Sequence, residues 1–217
     1  MSAFPRRAFA AVALMASFAW APGPASGQAI DIGDLGFPAG SPDAPVQVVE
    51  FSDFSCPYCR EFHSGTYQTL HAGYVATNKV RWIYVPFASG QYPNSFAAAA
   101  VAECAGRQDH FDTVRDRLYE TQDDWKHEDE PTAGAHFLSI VEDLSVDRDA
   151  LIACATSSDV ATRIDRAREL AARVGVTGTP AYVIDGFPAV GALPAEFIGQ
   201  VLDARLAQLG HGPAESR

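Results

Sequence analysis

The residues Cys56-Pro57-Tyr58-Cys59 constrain this chain more than any other stretch, because of what flanks them. Before them, Val46-Gln47-Val48-Val49-Glu50-Phe51 is a β-branched apolar run that reads as a strand buried on both faces. After them, Cys59, Phe62, Thr66, Leu70 and Tyr74 fall on one helical stripe. The helix is expected to run from Pro57 to about Ala76, with a bend near Gly65. A cysteine pair that closes a strand and opens a helix is a redox arrangement. The free N–H groups of a helix N-terminus stabilise an anion, so Cys56 should have a lowered pKa and act as the nucleophile. Cys59 sits one turn inside, on the apolar stripe, and should act only on a bond already formed at Cys56. Pro57 suits the first helical turn, where its missing N–H costs nothing. Half of a zinc site is the alternative. A closed structural site needs four ligands, and no second CxxC or Cys/His pair stands at matching spacing. No metal and no cofactor are expected.

The first 29 residues read as an export signal. Arg6 and Arg7 form a positive start, Ala8 to Trp20 an apolar segment, and small residues allow cleavage after Ala29 or Gly27. General secretion is the expected route, with twin-arginine export as the alternative for the Arg6-Arg7 pair. Pro22 and Pro24 and the short apolar segment argue against an uncleaved anchor. Removing the signal takes away two positive charges and no negative ones, so the formal net charge moves from −11 to −13. That balance disfavours nucleic acid and anionic membrane surfaces as partners. The expected product is soluble and periplasmic or otherwise exported, where cysteines can oxidise. Of the four cysteines, Cys56 and Cys59 form one pair, leaving Cys104 and Cys154. These read as a structural disulfide, with two buried free thiols or a resolving pair as alternatives.

Glu50 is the second informative residue, a carboxylate inside a run that should be buried. It is expected to have a raised pKa and to lie beneath the cysteine loop, where it can accept the proton that Cys59 must lose. An edge position pointing to water is the alternative. His63, one turn after Cys59, reads as a flanking surface histidine, with a metal or proton-relay role as the alternative. Residues 30–45, rich in Gly, Pro and Asp, form a lead-in with a possible edge strand. Residues 79–87 (KVRWIYVPF) form a second strand, parallel to the first. From Pro93 to Gly175 the punctuation is helical. Ser95 is expected to cap a helix stopped by Gly106, Asp147 to cap one leading to Cys154, and Ser158 to cap the last. Residues 121–131 (TQDDWKHEDEP) read as an acidic loop with Trp125 exposed. The sheet resumes at residues 181–184, turns at Asp185-Gly186, continues through residues 187–190, and is followed by a helix opened by Pro194.

The combination FSDFSCPYC, the helical insertion, then GVTGTPAYVIDG resembles the DsbA-like branch of the thioredoxin superfamily over residues 40–209, nearly the whole mature chain. The resemblance implies an α/β, thioredoxin-like fold with an inserted helical subdomain. Residues 46–90 and 175–209 would form the thioredoxin-like part, residues 91–174 the insertion, and residues 210–217 a tail. It implies a cis Thr179-Pro180 bond facing Cys56. The Thr179 backbone would pair with an extended substrate, and Pro180 would keep metal and stray thiols away. Some bacterial members carry a second, non-catalytic disulfide in the helical part, which Cys104 and Cys154 resemble. One departure is Tyr58: the best-known oxidants of the family have a thiolate-stabilising histidine there, whereas Pro-Tyr is the glutaredoxin dipeptide and Tyr58 offers a hydroxyl but no positive charge. A potential of roughly −220 to −120 mV is therefore expected.

The function expected is that of an exported thiol–disulfide oxidoreductase, an oxidase of exported protein thiols acting through Cys56 and Cys59. By family analogy a membrane-embedded, quinone-linked protein would reoxidise it, and no added dimerisation module is visible, so a monomer is expected. The rivals are a reductase or isomerase, and a chaperone for copper or another soft metal using the reduced pair. The second rival lacks Met-rich or His-rich support: the two methionines both lie in the signal.

Overall fold

The computed structural model describes residues 30–211. The export-signal reading of residues 1–29 and most of the expected tail lie outside them. Among the described residues, five strands form one mixed sheet in the order β1-β3-β2-β4-β5, with β1 at Phe37–Ala39, β2 at Val46–Ser52, β3 at Val80–Pro86, β4 at Ala181–Ile184 and β5 at Phe187–Val190. β2 and β3 are parallel, as expected for strands joined through a helix, and the other pairings are antiparallel. The apolar run thus becomes the central strand. β1 is the edge strand suspected in the lead-in. Pro188 sits in β5 at the other edge, where a strand can lack a backbone donor.

Alternation along β2 divides the core. Val46 and Val48 join Trp82, Tyr182 and Phe62 on one face, while Val49 and Phe51 join Ile83, Val85, Leu170 and Val183 on the other. A helical block interrupts the sheet between β3 and β4. It contains α2 (Ser95–Gly106), α3 (Phe111–Glu120), α4 (Glu130–Ser139), α5 (Arg148–Ala155) and α6 (Ser158–Arg173), and α7 (Ala195–Gln208) closes the fold. Cys104 on α2 and Cys154 on α5 are joined by a disulfide across 50 residues of chain.

The helix after the cysteines departs from ideal α geometry. It passes from an α turn at Pro57–Glu61 to π turns at Phe62–Tyr67, an α turn at Gln68–Leu70 and π turns at His71–Val75. Residues 57–75 are called α1 below. Bonding to the fifth residue back widens the turn, so the buried face advances by an extra residue. Phe62, His63, Tyr67, Leu70 and Val75 are buried, while Thr66 and Tyr74 from the expected stripe are only half-buried. Gly65 lies inside the first π segment, where the bend was expected.

Three further expectations are corrected. Trp125 is fully buried: its indole donates to the Leu118 carbonyl at 3.1 Å, and its ring packs edge-on against Phe137. Acidic neighbours masked an anchor. Ser157, not Ser158, caps α6, accepting from the Val160 amide at 3.3 Å. Ser95 is the first residue of α2 and its hydroxyl is spent elsewhere, on Asp53. The helix ends at Gly106, as expected, and this glycine is also a contact residue: a Cβ there would lie 2.2 Å from the Phe37 ring.

Candidate active site

The backbone of Cys56 is still extended, with φ −78° and ψ 121°, and Pro57 begins the helix, so Cys56 occupies the N-cap. Its carbonyl accepts from the amides of Cys59 and Arg60 at 3.1 and 3.2 Å. The loop before it is held by a residue that sequence reasoning passed over. Asp53, fully buried, accepts from the Ser55 amide (2.8 Å), the Ser89 amide (2.8 Å) and the Ser95 hydroxyl (2.7 Å). Gln122 is the second such residue. Its side-chain amide donates to the carbonyls of Phe54 (2.5 Å) and Cys56 (3.0 Å). The helical block therefore grips the cysteine loop from α2 and from the segment after α3. Asp53 sits inside FSDFSCPYC, and its type and buried surroundings offered a signal. Gln122 offered none.

Across the loop, Thr179-Pro180 is cis, and the Cys56 Sγ lies 3.5 Å from the Thr179 carbonyl. Cys56 is 7% exposed and Cys59 fully buried, both as free thiols, while Tyr58 projects with 64% exposed. The two sulfurs have opposite acidities. A hydrogen bond from the Cys59 thiol is the largest influence on Cys56. With help from Thr179 and the amides of Cys59 and Tyr58, and against partial burial, it brings Cys56 down to about 6. Burial is the main reason that Cys59 lies well above the ordinary thiol range, and the neighbouring Cys56 adds to it. One sulfur is therefore built to carry charge at neutral pH, and the other to hold its proton.

Glu50 is fully buried, opposite Tyr84 on β3 and Tyr182 on β4. The Trp82 indole donates to its Oε2 at 2.7 Å, and its Oε1 has no partner. Burial pushes its carboxyl up against the opposing charge of His63 and the bond from Trp82. The edge position weighed for Glu50 is excluded. His63 corrects the surface expectation: it lies one turn after Cys59 on the buried face, is 2% exposed, and its Nε2 meets Asp116 Oδ1 at 2.9 Å. Among the described residues, no group of three or more His, Cys, Asp or Glu side chains is placed to hold a metal ion.

A strand, a dithiol with divided acidities and a helix, facing a cis-proline loop, define a thiol–disulfide oxidoreductase of thioredoxin fold. Comparisons with known proteins carry the same statement. A sequence model of the thioredoxin family matches residues 36–204. The chain is 30% identical over 154 residues to a probable disulfide bond formation protein D of Bacillus cereus, covering 68% of each chain. It is 31% identical over 147 residues to the Na+/H+ antiporter NhaA 3 of Salinispora tropica, but spans 68% of this chain and only 21% of that protein. The crystal structure of Wolbachia pipientis alpha-DsbA1 shares the fold, with a TM-score of 0.68 at 19% identity, covering 79% of this chain and 93% of that one. The chain belongs to the thioredoxin family and is a protein disulfide oxidoreductase.

Proposed function

We propose that this oxidoreductase works as an exported oxidase, introducing disulfides into exported protein thiols. The observation that carries the reading is the lowered pKa of Cys56, about 6, at the helix N-cap beside a buried Cys59 held well above the thiol range. A stabilised Cys56 thiolate stabilises the reduced protein, and a protein stable in its reduced form is an oxidant in its disulfide form. The substrate thiolate attacks Cys56 of the Cys56–Cys59 disulfide, and Cys59 leaves with the electron pair and takes up a proton. A second substrate thiol then attacks the mixed disulfide and releases reduced Cys56. Thr179 supports this by offering its backbone beside Cys56 to an extended substrate, and Pro180 shields the sulfur from other thiols and metal. The Cys104–Cys154 bond lies within the helical block and serves stability. The signal-like residues 1–29 support export, and among the described residues no helix is long and apolar enough to cross a membrane. Reoxidation by a membrane-embedded, quinone-linked protein and action as a monomer rest on the family resemblance.

The deciding measurement is the equilibrium potential of Cys56–Cys59 against glutathione. A value of about −120 to −180 mV is expected, and one near −270 mV would replace the oxidase with a reductase. Its pH dependence is also fixed in sign. Below the Cys56 pKa, reduction takes up two protons with two electrons. Above it, reduction takes up one, so the slope should fall from about 59 to about 30 mV per pH unit. The break belongs near pH 6. An unbroken slope up to pH 8 would remove the thiolate on which the reading depends.

Glu50 is proposed as the proton acceptor for Cys59. A carboxyl raised by burial contributes stability that is complete below the ordinary carboxylate range and lost as pH rises through its raised value. Glu50→Gln, which keeps an acceptor for Trp82, should match the parent in denaturant unfolding near pH 4. Near pH 8 it should exceed the parent, by on the order of 1 kcal/mol. A difference between variant and parent that is the same at both pH values would show a carboxyl whose pKa the fold does not raise.

A further inference from the structure

We propose that His63 and Asp116 form the outlet through which protons pass between Glu50 and solvent during thiol–disulfide exchange. The inference rests on the reading of Glu50 as the partner of Cys59, and extends it to how that buried carboxyl exchanges its proton with water.

Glu50 has no path of its own. It is fully buried, its Oε2 is occupied by Trp82, and its Oε1 is unpartnered. The side chains around it close a ring. Trp82 packs edge-on against Tyr67 (5.4 Å between centroids), Tyr67 stacks on His63 (4.8 Å), and His63 stacks on Tyr119 (5.0 Å). The Tyr119 hydroxyl bonds to Ser52 Oγ at 3.1 Å and to the Tyr84 hydroxyl at 2.5 Å. His63 Nδ1 and the Tyr182 hydroxyl, like Glu50 Oε1, are buried without partners. The other ring nitrogen, Nε2, is 2.9 Å from Asp116, whose side chain is 45% exposed. Within this ring His63 alone combines an imidazole, which passes protons by exchanging donor and acceptor nitrogens, with a direct bond to a solvent-facing carboxylate.

The electrostatics fit. The charge of His63 is the largest influence opposing the upward push of burial on Glu50. Partial burial pushes Asp116 up, but the bonds from His63 and Arg115 outweigh it and hold the carboxyl below the usual range. The groups facing His63 are Tyr67 from its own helix, Glu50 from β2, and Asp116 and Tyr119 from α3. Arg115 lies over Tyr67 and pairs with both Asp112 and Asp116.

The step balances. When Cys59 attacks the Cys56–substrate bond, that S–S bond breaks and the Cys56–Cys59 bond forms. The substrate leaves as a thiolate with the electron pair, and the Cys59 proton goes to Glu50. Glu50 Oε1 and His63 Nδ1 are not bonded to each other, so a water bridging these two unpartnered atoms carries the proton to Nδ1 as Nε2 releases its own proton through Asp116 to solvent. Opening of the disulfide by a substrate thiolate runs the same route inward.

The test is the rate at which Cys59 displaces a model thiol from a preformed Cys56 mixed disulfide, followed from pH 5 to 9. Four variants are compared: Glu50→Gln, His63→Gln, Asp116→Asn and the double variant Glu50→Gln/Asp116→Asn. Each single variant should slow displacement about tenfold or more and flatten its pH profile. The double variant should be no slower than Glu50→Gln alone, because both lie on one route. If Glu50→Gln slows the step while Asp116→Asn does not, the outlet is overturned and the Glu50 reading stands. No effect of Glu50→Gln overturns both, and multiplied effects in the double variant overturn the shared route. Asp116 is on the surface, so its variants decide the question even if His63→Gln does not fold.

Discussion

Replacing Cys59 by alanine should leave the protein covalently attached to its substrates. Cys56 retains its position at the N-cap, its Thr179 neighbour and the backbone amides of Tyr58 and Cys59, so it remains a nucleophile toward disulfides. The residue that resolves the bond from within is gone, and with it an attacking sulfur held one helical turn away. Loss of an intramolecular partner of that kind should lower turnover on the order of 10³-fold or more. Non-reducing gels of thiol-trapped extracts would then show mixed disulfides that collapse on reduction. Cys56 should also become less acidic, because the Cys59 thiol supplies the largest share of its thiolate stabilisation. Full turnover by the Cys59→Ala protein would assign the chemistry to Cys56 acting alone.

The second large effect concerns the other pair. Removing Cys104 and Cys154 together, as Cys104→Ala/Cys154→Ala, opens a crosslink spanning 50 residues that ties α2 to α5. On the chain-entropy argument, this frees the unfolded chain and costs about 4 kcal/mol. For a domain of this size the midpoint of thermal unfolding should drop by about 10 °C. The Cys56–Cys59 potential should not move, since the grip on the cysteine loop runs through Asp53, Ser95 and Gln122 and not through the disulfide. Unchanged stability, or a shifted potential, would turn the second pair from a structural crosslink into part of the redox chemistry.

The expected geometry at the cysteines was legible because it is encoded over a few residues. A β-branched run, a proline after the first cysteine and an apolar stripe dictate strand, N-cap and helix by local backbone preference and side-chain period. The burial of Glu50 followed from the same run, since a central strand between β3 and β4 leaves it no route to water. The Asp185-Gly186 turn and the Asp147 cap were equally local. Trp125 was misread because a polar neighbourhood says nothing of which single side chain turns inward.

The sequence by itself thus determined the fold family, the nucleophile, its resolving partner and the buried carboxylate. Only the tertiary structure decided how that carboxylate meets its surroundings. The π turns of α1 bring Tyr67 rather than Thr66 to the buried face by breaking the 3.6-residue period that reading along the chain must assume, and α3 packs over His63 on the same face. Asp116 then reaches His63 across 53 residues, Ser95 reaches Asp53 across 42, and Gln122 reaches the Cys56 carbonyl across 66. Such pairings have no local periodic signal. They exist because buried polar groups must find partners, and the packing of the helical block against the sheet decides which ones are within reach.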